Sequence, residues 1–263
     1  MSKKTTIGTE EARLATKEYI TQEIDEVDTF ETPYGSKLGN KPSGTIRIGV
    51  LNVKKFPLRD QDASRHDLLK TQLTKHNFDC IGLNELNWNW GKLGQTQQLH
   101  SILKRWPWES SATKTSYIKS DYAGNTQQIG GTATIITEGL TTYIKERGED
   151  ERGMGRWSWM TLSSDDEKHK VSILTLYHPC NSSERMLGSA KMQQLRHLRK
   201  HYKKDTSTPH QAFQNDLKAQ IQKFKKNGNE IIIMGDFNQD ITQNTTLTML
   251  LKAEGLKDAI YGK

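Results

Sequence analysis

The stretch EIIIMGDFNQDI, residues 230 to 241, decides the fold of this chain. Its apolar run, Ile231 to Met234, predicts a buried strand. A glycine, Asp236, an aromatic residue and Asn238 follow the run at once. Because ligands of α/β proteins bind beyond the carboxyl ends of strands, this order matters. The stretch predicts a core strand that delivers a carboxylate and an amide to one rim.

Three other apolar strands end in the same way. IGVLNV contains Asn52, CIGLNEL contains Glu85, and ILTLYHPC contains Tyr177. Together with Asp236 and Asn238, these side chains suit a hard divalent cation and a phosphate, because Mg²⁺ takes one or two carboxylates and leaves its other positions to water and substrate oxygens. Taken singly, Asn52 could cap a turn, Glu85 could pair with a lysine and Tyr177 could be a core aromatic. The combination is more specific than any member.

From Thr45 onwards, strands alternate with helices. The apolar periodicity predicts strands at 45–53, 78–86, 128–139, 156–164 and 170–179 besides the opening one, and helices at 62–76, 96–106, 187–203, 209–226 and 244–254. The short polar turn SDDEKH predicts that two of these strands form a hairpin, so the sheet is not purely parallel. The pattern predicts an α/β layered fold. No GxGxxG or GxxxxGK[ST] phosphate loop is present in the sequence.

Domain organisation and composition set further bounds. Residues 1–44 predict an N-terminal extension, a helix followed by a turn-rich linker, and residues 45–263 predict one domain. No run of about 18 apolar residues and no apolar signal region occur in the sequence, so we expect neither export nor a membrane anchor. Cys80 and Cys180 offer no disulfide framework, which predicts a reducing, intracellular location, nuclear or cytoplasmic.

The net charge of +7 favours a polyanionic partner such as nucleic acid, although a basic surface kept for solubility fits the charge equally well. Two basic segments are candidates to follow phosphates, with a solvated face as the alternative for the second. Their candidate residues are Lys54, Lys55 and Arg59 after the first strand, and Arg196, Arg199 and Lys200 on a helix. The tryptophans at 88, 90, 106 and 108 fit core or rim packing better than base stacking.

The motifs LNV, GLNEL, LYHP and GDFN, in this order and at these separations, resemble the endonuclease/exonuclease/phosphatase family, which includes DNase I, the AP endonucleases and the endonucleases of retrotransposons. The finer resemblance, carried by NELNWNW, GGTATII, RWSWMTL, LYHPCN and HQAFQNDL, is to modules encoded ahead of reverse transcriptases in retroelements. It spans residue 45 to the C-terminus. The resemblance implies a four-layer α/β sandwich of DNase I-like type. It also implies an endonuclease that uses Mg²⁺ or Mn²⁺, with DNA as its nucleic-acid partner and a reverse transcriptase region encoded downstream.

The resemblance also implies a role for each residue at the strand ends. Glu85 would hold the divalent metal, with Asn52 nearby. Asp236 would orient or deprotonate the attacking water. Asn238 would donate hydrogen bonds to the phosphoryl oxygens, and Tyr177 would contact the same phosphate.

The sequence departs from the family pattern after GDFN. The pattern continues through further strands to an Asp and a terminal Ser-Asp-His, whereas residues 239–263 contain no His. We therefore expect a second sheet that lacks its last strands, and a chain that alone is weakly stable and cleaves little or no nucleic acid. Two further interpretations stay open: a non-catalytic remnant that binds nucleic acid, and a phosphatase or lipid phosphodiesterase of the same superfamily. EDTA-sensitive cleavage would identify the nuclease, and salt-sensitive binding without cleavage would identify the remnant.

Overall fold

The computed structural model describes residues 38–119, 126–180, 188–240 and 243–259. Residues Lys41–Lys263 form one compact unit. The helix predicted within residues 1–44 lies outside the described residues. No helix in the described part of the chain is both long enough and apolar enough to span a bilayer.

In the described part of the chain, eight strands form two four-stranded sheets. The first sheet has the order β1-β2-β4-β3, with β1 at Ile48–Asn52, β2 at Cys80–Asn84, β3 at Ser111–Ser116 and β4 at Thr132–Thr137. The second has the order β5-β6-β7-β8, with β5 at Ile144–Glu149, β6 at Trp157–Ser163, β7 at Lys170–Tyr177 and β8 at Glu230–Asp236. The pairs β1–β2 and β7–β8 are parallel, and the other pairs are antiparallel. The predicted hairpin of β6 and β7 is confirmed.

Five α-helices among the described residues cover these sheets. They are α1 at Ala63–Lys75, α2 at Leu99–Leu103, α3 at Ala190–His201, α4 at Pro209–Lys226 and α5 at Thr246–Ala253. Three 3₁₀ turns, at Trp90–Lys92, Gln95–Gln97 and Glu138–Tyr143, join some of the elements. The start of α4 shows why the sequence folds this way locally. Thr208 and Gln211 form a capping box around Pro209, so the first backbone N–H groups of the helix are satisfied or absent.

Three apolar clusters separate four layers. One cluster, which includes Leu69, Trp90 and Ile102, packs the first sheet against α1 and α2. A second, with Ile136 and Met160 among its members, fills the space between the two sheets. A third cluster packs the second sheet against α4 and α5. The layers run helices, sheet, sheet, helices, and the predicted four-layer α/β sandwich is confirmed.

The sequence pattern did not predict two of the strands, because their residues are mostly polar. SATKTS and IKERGE form β3 and β5, and each pairs with one neighbouring strand at the outer edge of its sheet. An edge strand that is not buried on both faces needs no strict apolar alternation, so its sequence resembles a loop. These strands are defined by their pairing partners, which are distant in the sequence.

One face of α1 is buried, and not every leucine of the helix lies on it. His66, Leu69 and Leu73 are buried, whereas Leu68 is 42% exposed. Positions separated by three and seven residues share a helix face, and Leu68 is rotated away from that face. The tryptophans behave as expected, because Trp88, Trp90 and Trp106 are buried and Trp108 packs against the same core.

The sandwich is open along one side. Strands β1 and β8 are both edge strands among the described residues, and they lie opposite each other across the inter-sheet space. On β8, Ile231 and Ile233 pack toward α4, so Ile232 faces the inter-sheet side with Met234. Nevertheless Ile232 is 36% exposed, and Val50 of β1 is 48% exposed. The site described next lies at one end of this open edge.

Candidate active site

Strand β8 places its last residues by simple alternation. Residues 231 and 233 face α4, and Phe237 continues that row into the same apolar cluster. Asp236 therefore lies in the opposite row, at the end of the inter-sheet face. The residue before Asp236 has to be glycine, because a Cβ on Gly235 would lie 2.0 Å from the carbonyl oxygen of Leu176. In the sequence Gly-Asp-Phe, the glycine allows close contact with β7, the aspartate places its carboxylate at the strand end, and the phenylalanine packs into the apolar cluster.

Asp236 is held by hydrogen bonds to both carboxylate oxygens. Asn52 Nδ2, from the end of β1, donates to Oδ2 at 3.0 Å. The backbone N–H of Asn238 donates to Oδ1, also at 3.0 Å. Asn52 is oriented in turn, since its Oδ1 accepts the backbone N–H of Lys54 at 3.0 Å. The ends of β1 and β8, 184 residues apart in the chain, therefore meet at one carboxylate.

The amide of Asn238 is fixed at both of its ends. Nδ2 donates to the carbonyl oxygen of His178 at 2.7 Å, and Oδ1 accepts from Cys180 Sγ at 3.1 Å. His178 also donates its backbone N–H to the carbonyl oxygen of Asp236 at 2.9 Å. Sequence analysis did not assign His178 or Cys180 to the site. The only signal for them was their position directly after Tyr177.

Tyr177 ends β7 and is 3% exposed. Gly130 makes room for its ring, because a Cβ there would lie 3.1 Å from Tyr177 Cε1 and its φ of +93° suits glycine. Burial, and then the negative charges of Glu85 and Asp236, raise the pKa of Tyr177. The phenol is therefore neutral at physiological pH and remains a hydrogen-bond donor.

Glu85 directly follows β2 and lies near Tyr177, whose pKa its charge raises. Its φ is +53°, and its carbonyl oxygen accepts the backbone N–H of Lys55 at 2.7 Å. Its carboxylate has no hydrogen bond or ion pair with any described residue. Positive φ also occurs at Lys54, Lys55 and Asn238, which are all non-glycine residues of these same loops. Such conformations cost free energy, and they concentrate at functional sites.

Asn84 is a site residue that sequence analysis missed. It pairs with Asn52 in the β1–β2 register, is completely buried, and donates from Nδ2 to the carbonyl oxygen of Leu176 at 2.6 Å. This bond ties the first sheet to the second beside the site. An Asn in an otherwise apolar strand, directly before Glu85, was the available signal.

An open cleft of about 420 Å³ lies over the two strand ends that meet at Asp236, and neither Glu85 nor Tyr177 is among its lining residues. It is lined by Val50, Asn52, Asn84, Gly235, Asp236, Phe237, Asn238 and Gln239. The described residues contain no group of three or more His, Cys, Asp or Glu side chains arranged to hold a metal ion. The available donors are hard oxygens, the carboxylates of Glu85 and Asp236 and the amide oxygen of Asn52. This set matches the sparse protein ligation typical of Mg²⁺ rather than a cage made by protein side chains alone.

The predicted basic residues lie at different distances from this cleft. Lys54 and Lys55 directly follow Asn52, and the Lys55 ammonium lies 4.6 Å from the centre of the Trp88 ring. Arg59 is on the same loop but extends toward Asp67, at 3.8 Å. The other three, Arg196, Arg199 and Lys200, are on α3. Helix α3 begins beside Gly130 and carries Arg199 roughly 14 Å along its axis from Ala190. Lys54 and Lys55 therefore directly follow a cleft residue, and a role for the three α3 cations stays a prediction.

A smaller cavity, of about 190 Å³, lies beside a buried ion-pair network under α4. Arg156 and Asp150 are both completely buried and form a bidentate pair, with two bonds of 2.7 Å. Burial opposes the charge of Asp150, but the Arg156 guanidinium outweighs burial and lowers the pKa of the carboxyl. Asp216 of α4 accepts from Arg156 at 2.8 Å and from Arg152 at 3.0 Å. The network joins the β5–β6 loop to α4, and the carbonyl oxygen of Arg156 accepts the backbone N–H of Tyr177 at 2.7 Å.

Comparisons with known proteins are consistent with this geometry. A sequence profile described as the endonuclease/exonuclease/phosphatase family matches residues 49–250. The matched region includes every strand-end residue of the cleft. A search of proteins with curated descriptions finds no match.

Solved structures similar to this chain include the following three. An endonuclease/exonuclease/phosphatase family protein from Leptotrichia buccalis C-1013-b is 14% identical, with 81% of this chain and 74% of that chain covered, at a TM-score of 0.46. The catalytic domain of human Nocturnin with a bound sulfate anion is 15% identical, with 81% and 75% covered, at 0.47. AP endonuclease LMAP from Leishmania major is 13% identical, with 83% and 69% covered, at 0.48.

Proposed function

Because the chain belongs to the endonuclease/exonuclease/phosphatase family, we propose that it is a divalent-metal-dependent phosphodiesterase that cleaves nucleic acid. The observation that carries the proposal is the hydrogen bond between Asn52 and Asp236, because it joins the ends of two strands from different sheets. A carboxylate held at both oxygens, beside a fixed amide and a neutral phenol, suits in-line attack of water on phosphorus.

In this proposal the chain's own residues bind and orient the reactants. Asp236 keeps unused lone pairs after accepting two hydrogen bonds, so it can orient a water and take its proton. Asn238 retains one amide N–H beyond the bond to His178, and the neutral Tyr177 hydroxyl is a second donor. These donors would stabilise the negative charge that develops on the phosphoryl oxygens. Their attachment to strand ends fixes their positions before the substrate arrives.

Glu85 and the amide oxygen of Asn52 fit a hard divalent cation, and we propose them as its protein ligands. Support comes from the Glu85 carboxylate, which makes no hydrogen bond or ion pair with the described residues. It also comes from the second lone pair of Asn52 Oδ1, which the Lys54 N–H leaves unused. Mg²⁺ or Mn²⁺ bound there would supply electrostatic stabilisation of the phosphate charge.

The proposed substrate is nucleic acid, and DNA is the first choice. A net charge of +7 and two consecutive lysines beside the cleft support a polyanionic ligand. Both cysteines are free thiols, which supports the proposed intracellular, reducing location. The retroelement origin and a reverse transcriptase encoded downstream are proposed from the sequence motifs alone.

Single-turnover nicking of supercoiled plasmid tests the proposal. An excess of protein over DNA keeps the assay sensitive to slow cleavage. With Mg²⁺ we expect nicking that EDTA abolishes and that Asp236→Asn lowers at least roughly 100-fold, as expected for loss of an acid–base group. Asp165→Asn, a matched change in the β6–β7 turn, should leave the rate unchanged. Equal rates for the two variants would contradict the proposed role of Asp236.

Plasmid that is bound but never nicked would favour the second interpretation, a non-catalytic nucleic-acid-binding protein. Binding should then weaken steeply with salt, because phosphate contacts release counterions. Hydrolysis of a phosphomonoester or a phospholipid in place of plasmid would identify the phosphatase or lipid phosphodiesterase alternative.

A further inference from the structure

Two histidines beneath the site, the buried His178 and the partly buried His210, are not used by the proposed reaction. His178 Nε2 and His210 Nδ1 lie 3.0 Å apart, and the ring centroids are separated by 4.7 Å. His178 is 1% exposed, and its ring also meets the edge of Phe213 at 4.6 Å. His210 is the second residue of α4. The pair therefore connects the segment after β7 to the start of a long helix.

The backbone of the same His178 holds the residues of the site. Its N–H donates to the Asp236 carbonyl, and its carbonyl accepts from the Asn238 amide. Two residues later, Cys180 Sγ donates to the other end of that amide. Thus the segment from His178 to Cys180 fixes which way the Asn238 amide faces. One N–H of Asn238 is left for the cleft that it lines.

From this geometry we propose that His178 and His210 are positioning residues, and that their ring-to-ring hydrogen bond locks the Asn238 amide in its donor orientation. The expected effect on cleavage rests on the proposed function, whereas the orientation of the Asn238 amide rests on these contacts alone. Burial lowers the pKa of both rings, so both are neutral near pH 7. Two neutral imidazoles can share one N–H and one lone pair, which is the bond that the distance indicates.

Two substitutions of His210 separate the hydrogen bond from simple space filling. His210→Gln keeps a donor and an acceptor on the side chain, whereas His210→Leu removes both. His100→Leu, an exposed histidine on α2, is the matched control. A third change, Cys180→Ala, removes the hydrogen bond at the opposite end of the amide, and Cys180→Ser keeps a donor.

The first readout is independent of catalysis. In ¹⁵N NMR spectra, assigned with Asn238→Asp, the Asn238 side-chain NH₂ signals should be shifted from random-coil values in the wild type. They should be unchanged in His210→Gln and His100→Leu. In His210→Leu and Cys180→Ala we expect collapse toward random-coil values, with faster hydrogen exchange of the His178 amide in the former. Wild-type signals in His210→Leu would overturn the proposal.

The second readout tests the catalytic consequence. His210→Leu should lower kcat for nicking roughly tenfold with KM unchanged, and His210→Gln should restore most of it, because a small misplacement of a donor acts on the transition state. If His210→Gln lowered kcat as much as His210→Leu does, the effect would be a general structural one, and the positioning role would be overturned. If the wild type cleaves nothing, the proposed function fails, and the NMR result still decides whether the histidine pair orients Asn238.

Discussion

Two regions of this molecule are built from similar apolar strands and differ in burial. Between the first sheet and helices α1 and α2, residues such as Leu83 and Trp90 are at most 1% exposed. At the edge formed by β1 and β8, Val50 and Ile232 remain 48% and 36% exposed. Strand β2 has a neighbour on each side, whereas β1 and β8 have one each among the described residues. Burial is therefore set by the neighbouring strands, and the open region is where polar strand ends can meet a substrate.

The two regions also divide stability from chemistry. The closed core consists of large side chains in close contact, where each lost group leaves a cavity. The open edge instead concentrates hydrogen bonds, unpaired carboxylate charge and left-handed backbone at Lys54, Glu85 and Asn238. We therefore expect substitutions in the closed core to lower the free energy of unfolding. Substitutions at the open edge should lower activity or ligand binding with little effect on that free energy.

The largest expected effect tests the closed core. Trp90→Ala should lower the free energy of unfolding by about 4 kcal/mol, since it removes a fully buried indole. Urea denaturation followed by circular dichroism measures the change. Tyr143→Ala, which truncates an aromatic residue that is 39% exposed, is the control and should cost less than about 1 kcal/mol. Similar losses for the two variants would mean that this core is not closed in solution.

A smaller effect is expected at the buried ion pair, away from both regions. Arg156→Ala leaves Asp150 buried without its main partner, which should cost about 3 kcal/mol. Arg156→Met fills more of the space but also leaves the charge, so it should recover only part of the loss. The exposed Arg147→Ala on β5 is the matched control. An Arg156→Ala protein as stable as the wild type would show that the pair contributes specificity rather than stability.

The histidine pair beneath the open edge predicts a dependence of stability on pH. Burial, and then the neighbouring His210, lower the pKa of His178 from 6.5 to about 4. The unfolded chain therefore takes up this proton at a higher pH than the folded chain does. The free energy of unfolding should fall by about 3 kcal/mol as the pH drops from about 6.5 to about 4, with little further loss from this group below that.

Urea midpoints measured between pH 7 and pH 4 test this dependence. His178→Gln removes the titrating ring, so its stability should vary less with pH than that of the wild type. The pKa of His210 is also lowered, by burial and by Lys191, so part of the slope should remain. A wild-type curve as flat as that of the variant would show that His178 is accessible to protons in the folded protein.

Much of the fold was predictable from local patterns in the sequence. The strand at 230–236, the hairpin of β6 and β7 and the helix at 209–226 follow from apolar runs, a polar turn and a capping box. Strands β3 and β5 were not predictable in this way, because their polar sequences become strands only through pairing with distant neighbours. Sheet order was equally out of reach. It depends on which strands meet in space, and no local pattern encodes that.

The residues of the site also fall into two groups, those that local sequence patterns predict and those that they do not. Asn52, Glu85, Tyr177, Asp236 and Asn238 could be proposed because each follows an apolar strand, and the structure brings these strand ends together. Their proposed roles still await the experiments above. The supporting residues could not be found from sequence, because Asn84, His178 and Cys180 act through contacts between sheets and loops.

The smallest expected effect is that of Leu51→Ala. It tests the comparison most directly when measured beside Leu83→Ala, because the two leucines occupy paired positions. Leu51 of β1 lies opposite Leu83 of β2 in the parallel register, yet Leu51 is 40% exposed and Leu83 is fully buried. Leu83→Ala should cost about 3 kcal/mol, and Leu51→Ala less than about 1 kcal/mol, by urea denaturation. If Leu51→Ala costs as much as Leu83→Ala, something covers β1 in solution. Dilution then distinguishes a second copy of the chain, whose contribution falls with protein concentration, from cover within one chain, whose contribution does not.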